Sequence, residues 1–156
     1  LAQSGFWMGE AALLAGATRF ITAAARTDTA LAFVPLSELR ALVAANPEHW
    51  RYFGMLSLEH NNLATSAAAD LLIRNVEHRC IAVLLRISGS RLRGPDNPAD
   101  PVAVVTQEEL AAMANLSRNA VGEVLRKLAE RNMIELGYRA IYIKSPEALR
   151  VVVETG

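Results

Sequence analysis

The sequence predicts an α+β fold, helical through its middle and closed by a small sheet towards its C-terminus. Three observations predict it. Between Thr106 and Ile143, two capped amphipathic segments are followed by a short alternating one. Pro47 opens a stretch that reads as one long helix to about Arg74. Further upstream, apolar and small residues alternate in short runs between Gly5 and Phe33.

Along the chain, Phe20, Thr22 and Ala24, then Ala30, Ala32 and Val34, alternate as strands with one buried face do. Pro35 opens a short helix with Ser37, Glu38 and Leu39 following. On the long helix, Trp50, Phe53 and Leu56 mark a face that packs on the N-terminal segment. Asn61, Ala64, Ala68 and Leu71 recur at three and four, the spacing of a coiled-coil seam. A polar Asn61 in such a seam fixes register at some cost in stability. The alternative is a helix buried within one chain, with no dimer. Asn75 reads as an N-cap or hinge before a helix over Val76 to Ile87. Ser88 to Asp100 is rich in Gly, Pro, Ser and Asp and reads as a surface loop.

Thr106 is a favourable N-cap, and Glu109 three residues on completes a capping box. Leu110, Met113 and Ala114 share one face of the helix that follows, and small Ala111 lets a second helix cross closely. Asn115 suits a tight turn because it tolerates positive φ. Ser117 caps a second helix to about Arg131, with Val121, Val124, Leu125 and Leu128 as its buried stripe. Ile141 and Ile143 then alternate with Tyr142 in a hairpin. Two short helices, a three-residue turn and a hairpin make a winged helix-turn-helix, which places one helix in the major groove of DNA.

The outward face of the second helix carries Arg118, Asn119, Gly122, Glu123 and Arg126. Arg bonds guanine O6 and N7 together, Asn does the same to adenine, and Glu accepts from cytosine N4. Arg118, Asn119 and Glu123 are therefore the expected base contacts. Ser117 and Arg126, with Thr106 and Gln107 at the start of the first helix, are the expected phosphate contacts; backbone N–H groups of Thr106 and Gln107 would serve there. An ordinary amphipathic helix pair with a solvated charged face is the alternative. Charge bears on the choice: Thr106 to Lys144 holds six Lys/Arg against five Asp/Glu, so non-specific phosphate attraction is modest.

The whole chain of 156 residues has no formal net charge, and its hydrophobic content of 52% is ample for a core. One cysteine, Cys80, excludes an internal disulfide framework and a four-cysteine iron–sulfur cluster within this segment. Its apolar neighbours make it a buried structural thiol. His49, His60 and His78 lack metal-ligand or haem-ligand spacing and read as surface or interface residues. No metal site and no catalytic motif is expected. No apolar run reaches the roughly 18 residues of a membrane span.

Three stretches resemble the Crp/Fnr family of bacterial regulators. VTQEELAAMANLSRNAVGEVLRKLAERNMI carries that family's serine-arginine start of the recognition helix at Ser117 and Arg118. NPEHW followed by a long helix ends in RCIAVLLRIS, where Arg79, Ile81, Leu84 and Leu85 keep the family's spacing. GFWMGEAALLAGATRFITAAA is similar to the cassette that holds phosphate in the sensor domain. The resemblance implies a cyclic-nucleotide-binding-like β-roll (a double-stranded β-helix) over 1–46, a dimerisation helix and hinge over 47–75, and a winged helix-turn-helix over 76–156. The chain begins inside that β-roll and without an initiator Met, so further N-terminal sequence is expected in the natural protein.

The implied function is a homodimeric, sequence-specific transcriptional regulator on a palindromic operator. It would be controlled by an effector, cytoplasmic, and not an enzyme. Double-stranded DNA is the implied partner, RNA polymerase a further one, with no membrane. The seam residues Asn61, Ala64, Ala68 and Leu71 become its dimer interface. The resemblance also marks Gly9, Glu10, Arg19 and Thr65 as effector-binding positions. Relatives that bind cyclic nucleotides follow the arginine with Ser or Thr and Ala, whereas Phe20 and Ile21 stand here, and the spacing from Gly9 to Arg19 is one residue short. These departures weigh against a cyclic nucleotide and leave structural roles for Glu10 and Arg19, such as an ion pair at a turn. The alternative function is a cyclic-nucleotide-type signalling module without sequence-specific DNA binding.

Overall fold

The computed structural model describes residues 5–16, 18, 22–91 and 98–155. The chain divides into two compact units, Leu1–Ala64 and Thr65–Gly156. The first holds α1 (Glu10–Ala15), α2 (Leu36–Ala45) and most of α3 (His49–Leu72), a helix that continues past residue 64. Gly9 precedes α1 with φ 109°, a backbone conformation that a side chain would resist. The core of this unit is small. Leu13, Leu39, Val43 and Phe53 are buried, with Trp7, Leu36 and Leu56 packed against them. The Trp7 and Phe53 rings meet edge to face at 6.0 Å, a favourable aromatic geometry.

Two expectations for this unit are corrected. Residues 30–34 alternate in sequence but form no strand, and Leu31 and Phe33 are 80% and 76% exposed. Alternation produces a strand only where a neighbour takes up the backbone N–H and C=O groups, and the described residues of this unit contain no other strand. Phe20 and Ile21 lie outside the described residues. On α3, Phe53 and Leu56 join the core as expected, but Trp50 is 41% exposed.

The second unit contains the end of α3, then α4 (Val76–Ile87), β1 (Val102–Ala103), α5 (Gln107–Ala114), α6 (Arg118–Glu130), β2 (Ile134–Gly137), β3 (Ala140–Ile143) and α7 (Pro146–Glu154). The side chain of Asn75 accepts from the His78 N–H at 3.1 Å and caps α4. Every residue from Cys80 to Leu85 is buried. Such a stretch has to be apolar on all sides, and α5, α6, α7 and β1 all touch α4. Burial, with the nearby Glu77 carboxylate adding to it, pushes the Cys80 thiol up to about 12.

The sheet is antiparallel, with β3 between β1 and β2. Ile134 pairs with Ile143 and Leu136 with Ile141, while Val102 faces Tyr142. Ile134, Ile141 and Ile143 turn into the core and Tyr142 turns out, as the alternation predicts. Ser145 precedes α7 without a capping bond from its side chain, and Pro146 opens the helix with a ring that already holds a helical φ. One further difference stands out. The segment after α4 begins inside the unit. Ser88 and Ser90 are buried, Ser90 N–H returns to the Leu85 carbonyl at 2.8 Å, and the Arg150 guanidinium donates to the Ser90 carbonyl. Leu149 is fully buried and docks α7 on the core, with Val152 partly buried beside it.

Candidate nucleic-acid interface

The helix pair is fixed by local bonds. Thr106 Oγ1 accepts from the Glu109 N–H at 3.1 Å, and the Thr106 N–H donates to Glu109 Oε2 at 2.7 Å. A cap of this kind contributes about 1 kcal/mol. Asn115 closes α5 at φ 50° and ψ 52°, and the Leu116 N–H reaches the Ala111 carbonyl at 2.9 Å. Ser117 Oγ then accepts from the Ala120 N–H at 3.2 Å and opens α6. Ala111 and Ala114 are buried between the helices, where larger side chains would hold them apart.

With Val121, Val124, Leu125 and Leu128 sealed inside, α6 turns its other side outward. Arg118, Asn119, Glu123 and Arg126 are all exposed, as are Ser117 and Gln107. Gly122 sits in the middle of this face. A Cβ there would lie 3.6 Å from Gln107 Oε1, an ordinary contact distance, so Gln107 lies against α6 at this point. One expected role changes. The Thr106 N–H belongs to the capping box and is not available to a phosphate. The N–H groups of Gln107 and Glu108 precede the first intrahelical bond and have no intrahelical carbonyl partner.

The structure also brings in two residues that the sequence reading missed. The turn joining β2 to β3 consists of Tyr138 and Arg139, and Tyr138 is 94% exposed. Arg139 has φ 52°, where a non-glycine residue costs roughly 1–2 kcal/mol. The turn lies across from the helix starts, and together they form an open groove of about 450 Å³ lined by Thr106, Gln107, Glu108, Arg118, Tyr138 and Arg139. Two guanidiniums thus share a groove with one carboxylate. A two-residue hairpin turn with neither Gly nor Asn in it was the available signal, because both are the residues that such turns favour.

The residues marked as effector-binding are differently placed. Glu10 is buried at the start of α1, and its Oε1 meets His60 Nδ1 at 2.7 Å. The Phe6 ring lies 4.9 Å from that imidazole. His60, read from sequence as a surface or interface residue, is a partly buried partner of Glu10. Thr65 is exposed, and Arg19 lies outside the described residues. Among the described residues, no group of three or more His, Cys, Asp or Glu is placed to hold a metal ion. No described helix is long and apolar enough to cross a membrane. The seam residues Asn61, Ala64, Ala68 and Leu71 lie along α3, all four exposed.

The second unit is therefore a winged helix-turn-helix domain, two capped helices followed by a β-hairpin. Its residues 78–152 match the Crp-like helix-turn-helix domain. Among solved structures, the chain is similar to TTHB099, a CRP-family transcriptional regulator of Thermus thermophilus. Identity is 20% and the TM-score 0.55, over 69% of this chain and 54% of that one. It is similar too to TTHA1359, a CRP/FNR-family regulator of the same organism, at 24% identity and a TM-score of 0.53, over 70% of this chain and 56% of that one. The chain thus spans little more than half the length of these regulators, and at such identities the likeness establishes the fold. No curated protein matches the chain. The resemblance to the Crp/Fnr regulators read from the sequence is borne out.

Burial alone would raise the Glu10 pKa. The His60 hydrogen bond, backbone N–H groups at the helix start and the imidazole charge outweigh it and hold the carboxyl below its ordinary value. A group depressed on folding stabilises the fold above its unfolded pKa and loses that contribution as pH falls through the folded one. The expected result is that α1 loosens only as pH falls below the ordinary carboxylate range, seen as a change in Trp7 fluorescence. His60→Ala should move the change to higher pH, and an unchanged titration in that variant would remove the pair from the account.

Proposed function

We propose that the protein is a transcriptional regulator that binds DNA as a homodimer, with α6 of each copy reading one half of a palindromic operator. One observation carries the reading: Arg118, Asn119 and Glu123 stand exposed on one face of a helix whose opposite face is sealed in the core. The groove between the helix starts and the hairpin would take the phosphate backbone through Gln107 and Arg139, with Ser117 and Arg126 as further backbone contacts outside it. Asn61, Ala64, Ala68 and Leu71 would meet their copies across the dimer. Half-sites would then lie roughly 10–10.5 base pairs apart, centre to centre.

In this reading, residues 1–46 belong to an effector-sensing part, 47–75 form the dimerisation helix and hinge, and 76–156 read DNA. The β-roll assignment for the first of these rests on the family resemblance. The effector need not be a cyclic nucleotide, because the Glu10 carboxylate that would hold a ribose hydroxyl is taken by His60.

The experiment is selection of bound duplexes from a random library at roughly 0.15 M salt. A two-fold symmetric motif is expected, and recovery of unrelated sequences would overturn sequence-specific reading. Arg118→Ala should cost about 1–3 kcal/mol of binding and relax preference at one base pair. An equal loss on every sequence would instead make Arg118 a phosphate contact. Arg139→Gly separates fold from binding. It should raise thermal stability, by about 1 kcal/mol, because glycine relieves the positive φ. DNA affinity should fall on all sequences alike, with the salt dependence reduced by about one ion. Unchanged affinity would take the hairpin turn out of the interface.

A further inference from the structure

Asp70 stands in the last turn of α3, within the second unit, and is only 3% exposed. Its two oxygens are held by different arginines. Arg86 donates through Nε to Oδ2 at 2.8 Å, and Arg91 donates through Nε to Oδ1 at 3.4 Å. Arg86 belongs to the last turn of α4, where a cation also suits the helix dipole. Arg91 follows the turn at Ser88–Ser90, which is itself pinned to Leu85 and Arg150.

The geometry is that of a two-point attachment. Ile73–Asn75 joins the end of α3 to the start of α4, and the arginines join it to the far end of α4, about 15 Å along the helix. Two separated attachments fix an angle where one would leave a swivel. A buried ion pair is weak evidence for stability, since apolar residues of similar volume often serve as well. What such a pair adds is a single defined geometry.

We propose that Asp70 is a positioning residue for DNA binding: with Arg86 and Arg91 it sets the angle at which the last turn of α3 meets α4, and through it the spacing of the two recognition helices in the dimer. This rests on the reading above that a dimer reads two half-sites. Removing the carboxylate leaves two guanidiniums side by side with no anion between them, so the angle relaxes while the core of the winged domain stays packed.

The test uses the full chain and its Asp70→Asn and Arg91→Gln variants. Hydrogen exchange without DNA reads residues 65–75, and binding is measured to a single half-site duplex and to a series of two-site duplexes differing in spacing. Asp70→Asn should speed exchange at 65–75, leave half-site affinity within about twofold of wild type, and flatten the spacing preference about tenfold. Arg91→Gln should do the same to a smaller degree, and it carries the test alone should Asp70→Asn not fold. A spacing preference as sharp as that of wild type overturns the proposal. So does a parallel loss on half-site and two-site duplexes, which is what a merely structural role produces. If the wild-type chain binds no duplex, it is the DNA reading that fails.

Discussion

The second unit depends on the burial of α4. Cys80 to Leu85 are all out of contact with water, and each face of the helix is covered by a different element. Leu110 of α5, Val121 and Leu125 of α6, Ile141 of β3 and Leu149 of α7 share one core with it. The exposed face of α6 is thereby defined, because the side that must cover α4 cannot also meet a ligand. Arg118 and Asn119 face outward for the same reason that Val121 and Leu125 face inward. Exposure of this face is a consequence of packing and needs no separate device.

Charge is arranged more locally than the balanced total implies. Arg118 and Arg139 enter the groove with Glu108, while Glu123 stands on the reading face with Arg126. Carboxylates so near a phosphate path weaken attraction to DNA in general. If Glu123 meets a base edge as proposed, it would also penalise base pairs that present an acceptor where it needs a donor. In the proposed reading, an interface of this composition would give up non-specific affinity and keep discrimination, in line with the small excess of positive charge between Thr106 and Lys144.

The parts of the structure that the sequence made legible are those whose signals lie within four residues of one another. Thr106 with Glu109, Asn115, Ser117, Asn75, and the stripe from Val121 to Leu128 each specify a local geometry, and each is found. What stayed hidden depends on tertiary partners. Glu10 and His60 are 50 positions apart, and Asp70 meets Arg86 and Arg91 across 16 and 21. No periodicity reports such pairs. The alternation at Ala30, Ala32 and Val34 misled for the converse reason: it is a local pattern whose meaning rests on a neighbouring strand. Arg139 was missed because its interest lies in a backbone angle, and Arg is not a residue type that announces one. Its position opposite Arg118 followed only once the hairpin had been folded onto the helices.

The order of strands has a bearing on how the domain is made. β1 precedes the helix pair in sequence, yet it pairs with β3, whose residues follow about forty positions later. During synthesis the chain emerges from the ribosome at roughly 5–20 residues per second. Throughout that interval β1 has no partner, and the apolar girdle of α4 lacks Ile141 and Leu149. The apolar segment Cys80–Leu85 therefore has its cover from α5 and α6 first, and completes it only when β3 and α7 follow.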